Sequence, residues 1–138
     1  IVFVVTADTL TLTGDAETFE IFGKPKDRAH AKYMINAGRY GSLTGTAFCI
    51  QKLIWRDFAW HALEQDTGYA EGWNLIDIPE ERQDFYLDHI DYMNLSGAIK
   101  IRGLAEQFTK EIRGSYSAIM GLPMYELRQT LERMDFYE

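Results

Sequence analysis

Asp8 and Lys24 are the two residues of this 138-residue chain whose types and spacing could do chemistry together. The apolar run Ile1-Val2-Phe3-Val4-Val5 delivers the Asp8 carboxylate at its exit, and one hairpin later comes Gly23-Lys24-Pro25-Lys26-Asp27. A carboxylate can hold a hard divalent cation such as Mg²⁺, which takes oxygen ligands and keeps several waters. An ammonium on a flexible stem reaches a phosphate as a point charge. Side by side, the two are the minimum needed to hold a metal ion and a polyphosphate. Lys26 reads as a solvated lysine before a helix. Thr44 and Gly45 could bring backbone close to a ligand, or equally mark the junction of two elements. Ser115 and Tyr116 could offer a hydroxyl or an amide to a base or phosphate, or form a turn with a packed tyrosine.

Other chemistries find less support. His30, His61 and His89 lack metal-ligand spacing with cysteine or carboxylates, so zinc is not indicated. No nucleophile turn with histidine and aspartate partners is visible. Cys49 lies in an apolar strand, where a cysteine behaves as a small hydrophobe. It is the only cysteine, which excludes an internal disulfide and makes a cytoplasmic location the default expectation. Asp84 and Asp88 share a helix face with Glu80 and Glu81 nearby, the pattern of a solvated charged side. Trp55, Trp60 and Trp73 could stack on a base, although packing is the commoner use of tryptophan in strands. A net charge of −7 without a basic run argues against nucleic acid. No apolar stretch reaches membrane-spanning length, so the expectation is a soluble protein. An acidic protein that binds a polyphosphate must concentrate its few cations locally or recruit a divalent metal.

The elements that must position these residues read as follows. Residues 1 to 6 form a strand buried on both faces. Leu10 and Leu12 alternate, Gly14-Asp15 turns the chain, and residues 19 to 22 return as a hairpin that presents Lys24 toward Asp8. A helix over residues 27 to 37 ends on a Gly38 cap. Residues 43 to 63 read as long strands, and 65 to 74 as a loop. Asp77-Ile78-Pro79-Glu80 opens a helix to His89 with Phe85 and Ile90 inward. Residues 107 to 113 form a strand, and a last helix from Pro123 to Met134 carries the stripe Met124, Leu127, Leu131, Met134. With 46% hydrophobic residues the chain suits one domain, residues 1 to 138, of α/β class with a mixed, twisted sheet.

The order Ala7-Asp8-Thr9, Gly23-Lys24-Pro25, Leu43-Thr44-Gly45-Thr46-Ala47, Ser96-Gly97-Ala98 and Gly114-Ser115-Tyr116-Ser117 with Gly121-Leu122-Pro123 resembles the Maf family of nucleoside triphosphate pyrophosphatases along nearly the whole chain. The resemblance implies helices around a nucleotide cleft and Mg²⁺-dependent hydrolysis to a nucleoside monophosphate and pyrophosphate. Asp8 would be the metal ligand or water-orienting base, and Lys24 a phosphate ligand. A homodimer is the implied assembly, and a pyrimidine or modified nucleotide the implied substrate. Maf-like proteins also carry an N-terminal Ser-x-Ser-x-Arg-Arg segment that grips phosphates. Nothing here matches it, so a preceding segment on the order of a third of the intact protein is expected. Where the family shows a stretch like Asp-Lys-Ala-Gly-Ala-Tyr-Gly-Ile-Gln-Gly, residues 94 to 103 keep Gly97 and Ala98 but lack its carboxylate, lysine, tyrosine and glutamine. Lys100 and Arg102 bring cations to the same loop, and Arg102 could replace a lost phosphate contact bidentately. The alternative expectation is a degenerate Maf-like module that binds nucleotide or protein without hydrolysis.

Overall fold

The computed structural model describes residues 1–15 and 17–138. Its elements are β1 (Val2–Gly14), β2 (Phe19–Phe22), α1 (Arg28–Gly38), β3 (Ser42–Arg56), β4 (Ala59–Ile76), α2 (Glu80–Asp88), three short 3₁₀ turns, β5 (Thr109–Gly114), α3 (Tyr116–Ile119) and α4 (Met124–Arg133). The strands form one sheet in the order β2-β1-β3-β4-β5, flanked by helices, which bears out the α/β reading. Among the described residues all four strand pairings are antiparallel, so the sheet there is not mixed in direction.

The hairpin that carries Lys24 forms as expected, with Thr11 opposite Phe22 and Gly14 opposite Phe19. Asp27 then caps α1, its carboxylate accepting from the His30 N–H at 2.8 Å. That cap satisfies one of the orphan donors of the first turn and fixes where the helix begins. Gly38 is the last helical residue rather than a left-handed cap; the positive φ of +121° falls on Gly41.

Several elements depart from the sequence reading. Asp8 does not end a strand, because β1 continues through it and pairs with β3 from Val2 to Thr13. Val2, Val4 and Val5 are 38–40% exposed, so the first half of β1 is not buried on both faces. Residues 65 to 74 are strand, not loop: their glycines and carboxylates are carried by continuous pairing with β3, where tertiary context overrides local preference. Phe58 leaves the strand for a tight turn with Asp57, both at positive φ. Asp77 does not cap α2, whose N-terminus has no side-chain cap; it holds Arg39 and Lys110 instead. On α2 the buried residues are Gln83, Tyr86 and Leu87, while Phe85 faces out. Met124 likewise leaves the α4 stripe, exposed beside buried Leu127 and Met134.

The main core gathers Phe22, Met34, Ile35, Ile76, Tyr86 and Ile101 between α1, α2 and one end of the sheet. A smaller cluster of Phe48, Ile50, Leu127 and Met134 lies under α4. Ion pairs of 2.8 Å from Arg28 to Asp84 and Asp88, and from Lys32 to Asp84, tie α1 to α2. Asp84 is held below the usual carboxylate range by the Lys32 and Arg28 hydrogen bonds. No helix among the described residues is long and apolar enough to cross a membrane.

Candidate functional site

A cleft of about 640 Å³ opens between the β1 edge, the exit of β2, α1 and the loop after α2. That volume suits a small-molecule ligand. Its charged lining residues are Asp8, Lys24 and Lys100, a local excess of one positive charge in a chain of net charge −7. Neither lysine is held in an ion pair among the described residues, whereas Arg28, Lys32 and Arg39 are all engaged elsewhere.

Asp8 reaches the cleft because β2 stops short. The β2 partners on β1 run only from Thr11 to Gly14, which leaves the β1 edge open at Asp8 and Thr9. The Asp8 Oδ1 accepts from the Thr9 N–H at 3.0 Å, Oδ2 has no partner among the described residues, and the side chain is exposed. Lys24 lies two residues past the end of β2, after Gly23, at the same opening. Lys26, by contrast, is not in the cleft lining, and its backbone N–H donates to His30 Nδ1 at 3.1 Å.

The floor is a set of side chains on one face of the sheet, Thr9, Thr11 and Thr13 of β1 against Thr46, Thr44 and Ser42 of β3. Strand alternation turns these inward and sends Asp8 and Leu10, both exposed, to the opposite side, so that the two meet the cleft only at its open β1 edge. Thr11, Thr13, Ser42, Thr44, Thr46 and Asn74 are all buried. Burying so many polar groups costs free energy unless each is bonded.

The bonds have a direction that can be derived. Ser96 Oγ donates to the Phe22 carbonyl at 3.1 Å, so its lone pair accepts from Thr11 Oγ1 at 3.1 Å. Thr11 has then used its proton and accepts from Thr44 Oγ1 at 3.3 Å; Thr44 in turn accepts from Asn74 Nδ2 at 3.4 Å. The chain ends on Asn74, whose Oδ1 has no partner among the described residues and which lines the cleft. A parallel relay runs from Thr9 to Thr46 at 2.7 Å and on to the Ala118 carbonyl at 2.6 Å, seating α3 on the sheet.

The loop over the cleft is anchored by the same residues. Gly97 N donates to the Gly23 carbonyl at 3.0 Å, and Gly97 itself, at φ +65°, packs so close to Thr11 that a Cβ would sit 3.3 Å from its methyl. Beyond it, the Lys100 N–H donates to Tyr86 Oη at 3.0 Å. Burial pushes the Tyr86 phenol up to about 12, opposed by that bond, and so keeps a neutral acceptor under Lys100.

Of the residues singled out in the sequence, Asp8, Lys24 and Thr44 line one cleft, and Arg102 and Ser115 do not. The cation of that loop in the cleft is Lys100. Ser115 caps α3, its hydroxyl accepting from the Ala118 N–H at 3.1 Å, and Tyr116 is 47% exposed rather than packed. Gly45 makes room for Tyr69, since a Cβ there would meet its Oη at 2.3 Å. Trp55 and Trp60 pair edge to face at 5.2 Å far along the β3–β4 hairpin, and Trp73 carries Arg113. Sequence reasoning missed Thr11, Ser96 and Asn74; the threonines at positions 9, 11 and 13 were a period-two signal that could have exposed the floor. No cluster of three metal-ligating side chains occurs among the described residues.

The comparisons with known proteins agree with one another. The chain is 30% identical over 131 residues to a dTTP/UTP pyrophosphatase of Methylococcus capsulatus, covering 93% of this chain and 61% of that protein. It is 30% identical over 136 residues to a dTTP/UTP pyrophosphatase of Anaeromyxobacter dehalogenans, covering 96% and 65%. A third, from Cupriavidus pinatubonensis, is 32% identical over 130 residues, covering 94% and 60%. The chain thus spans less than two thirds of the length of these curated relatives. Residues 2–134 match the Maf-like protein family, and with the cleft, the Asp8 edge and Lys24 in family order, the chain belongs to that family.

Proposed function

We propose that the cleft binds a nucleoside triphosphate and that the protein hydrolyses it between the α and β phosphorus atoms, releasing a nucleoside monophosphate and pyrophosphate. The observation that carries this reading is the charge of the lining. Two lysines in no described ion pair and one open carboxylate converge in a protein whose net charge is −7. The named activity of the relatives, dTTP/UTP pyrophosphatase, supports a pyrimidine nucleotide as the substrate.

The chemistry is mainly electrostatic positioning. The Lys24 and Lys100 ammonium groups meet the phosphate oxygens and hold the chain of phosphates against the β1 edge. Asp8 Oδ2 accepts the proton of the attacking water. Asp8 also fits as a protein ligand for a divalent cation, since Mg²⁺ is commonly held by one or two carboxylates together with substrate phosphates. When bound there, Mg²⁺ would supply charge neutralisation for the departing pyrophosphate. The apolar walls, Met34 and Ile35 of α1 and Ile119 after β5, limit water around the reacting centre.

The test is product analysis with UTP, dTTP, CTP, ATP and GTP in the presence of Mg²⁺. UMP or dTMP with stoichiometric pyrophosphate is expected. A nucleoside diphosphate with orthophosphate, or no turnover of any triphosphate, would overturn the reading.

A further inference from the structure

We propose that Asn74 selects the nucleobase, pairing through its amide with a pyrimidine that carries a ring N–H beside an exocyclic carbonyl, as uracil and thymine do. The inference rests on the nucleotide reading of the cleft and deepens it. Asn74 is 5% exposed, sits near the C-terminal end of β4 opposite Ser42 and lines the cleft. An amide in so buried a place is costly unless its groups are bonded. Its only described partner is Thr44, which takes one N–H.

The hydroxyl relay determines what remains. Because Ser96, Thr11 and Thr44 pass their protons toward the Phe22 carbonyl, Thr44 can only accept from Asn74. The amide nitrogen is therefore fixed on Thr44, an assignment that ordinarily depends on such a network. Asn74 is left presenting Oδ1 and its second N–H in a set order. An N3–H donor and the adjacent carbonyl acceptor of uracil complement that order. Cytosine in the same pose would set its amino group against the N–H and its N3 lone pair against Oδ1. Position agrees: Asn74 pairs with Ser42 and Ser42 with Thr13, five residues along β1 from Asp8, about 17 Å at the strand rise. An extended nucleotide with its phosphates at Asp8 and Lys24 lays its base toward that end of the cleft.

The test alters substrate and protein in turn. UTP, CTP and N3-methyl-UTP are compared as kcat/KM in the wild type and in Asn74→Leu, with thermal melting to confirm that the variant folds. The wild type is expected to favour UTP over both others by about tenfold to a hundredfold, the scale of one buried hydrogen-bonded pair left unmatched. Asn74→Leu should lose the advantage of UTP and be indifferent to the N3-methyl group. The wild-type comparison of UTP with its N3-methyl form stands even if the variant does not fold. Equal turnover of the two by the wild type overturns the role of Asn74 while leaving pyrophosphate release intact. Failure of the wild type to hydrolyse any of the three removes the nucleotide reading and this inference with it.

Discussion

The two ends of the central strands make opposite use of side-chain polarity. At the end where β1, β3 and β4 run beneath α1 and the 96–98 turn, the inward residues are Thr11, Thr13, Ser42, Thr44 and Asn74, none more than 7% exposed. At the other end β1 opens on valines, and the β3–β4 hairpin carries Trp55 at 53%, Trp60 at 51%, Leu63 at 48% and Phe58 at 94% exposure. Apolar burial is the usual driving force, so hydroxyls inside and aromatics outside run against the general trend. Of the inward polar residues, Thr11, Thr44 and Asn74 are bonded in sequence through Ser96 to the Phe22 carbonyl, and Thr9 and Thr46 beside them to the Ala118 carbonyl, which offsets the cost of burying them. Stability alone does not call for such a floor. A ligand that needs hydrogen bonds at depth and cations at the mouth does.

Breaking the mouth should cost most. Asp8→Asn removes a charge and little volume, and is expected to lower kcat for pyrophosphate release by about 10²–10³-fold or more with an unchanged melting temperature. Full activity in that variant, with the same metal dependence, would contradict the assignment. Lys24→Ala should lower kcat/KM by about 10- to 100-fold, the scale of one charge-assisted contact of about 1.5–3 kcal/mol. Lys26→Ala, two residues before α1 and outside the cleft, should leave kcat/KM near wild type; equal losses in the two variants would break the distinction between them.

Tyr86 sharpens the same contrast through pH. Its folded value, pushed up to about 12 by burial, lies above the ordinary phenol value of 10. The stability it contributes is therefore complete below pH 10 and lost as pH rises from 10 through 12, about 2–3 kcal/mol in all. Denaturant unfolding at pH 9 and pH 12 should show that loss in the wild type and a smaller one in Tyr86→Phe. Matching losses would mean that another group governs alkaline unfolding. Smaller still is the effect of opening the floor: Thr44→Val leaves Asn74 and Thr11 without their shared partner and should cost about 1–2 kcal/mol. Phe58→Ser at the hairpin tip should stay within about 0.5 kcal/mol, despite removing a far larger apolar group.

What the sequence made legible was local. Asp8, Lys24 and the Asp27 cap follow from short-range chemistry, and the β1–β2 hairpin from its Gly14 turn. What stayed hidden was set by long-range pairing. Residues 65 to 74 look like a loop because glycine and carboxylates populate them, yet β3 supplies a partner for every one. Arg102 looked the better phosphate ligand by chemistry, but the cation of that loop in the cleft lining is Lys100, whose backbone N–H is bonded to Tyr86 Oη. Asn74 carried no signal of its own, since its meaning comes from a relay spanning β4, β3, β1 and Ser96.

The most direct test of the claim that the chemistry belongs to the covered end is an amide NMR titration with a non-hydrolysable UTP analogue and Mg²⁺. Resonances of Asp8, Thr11, Lys24, Thr44, Asn74 and Lys100 should shift with one saturable affinity, while those of Trp55, Phe58 and Trp60 stay in place. Shifts confined to the hairpin, with the floor residues unmoved, would contradict the account.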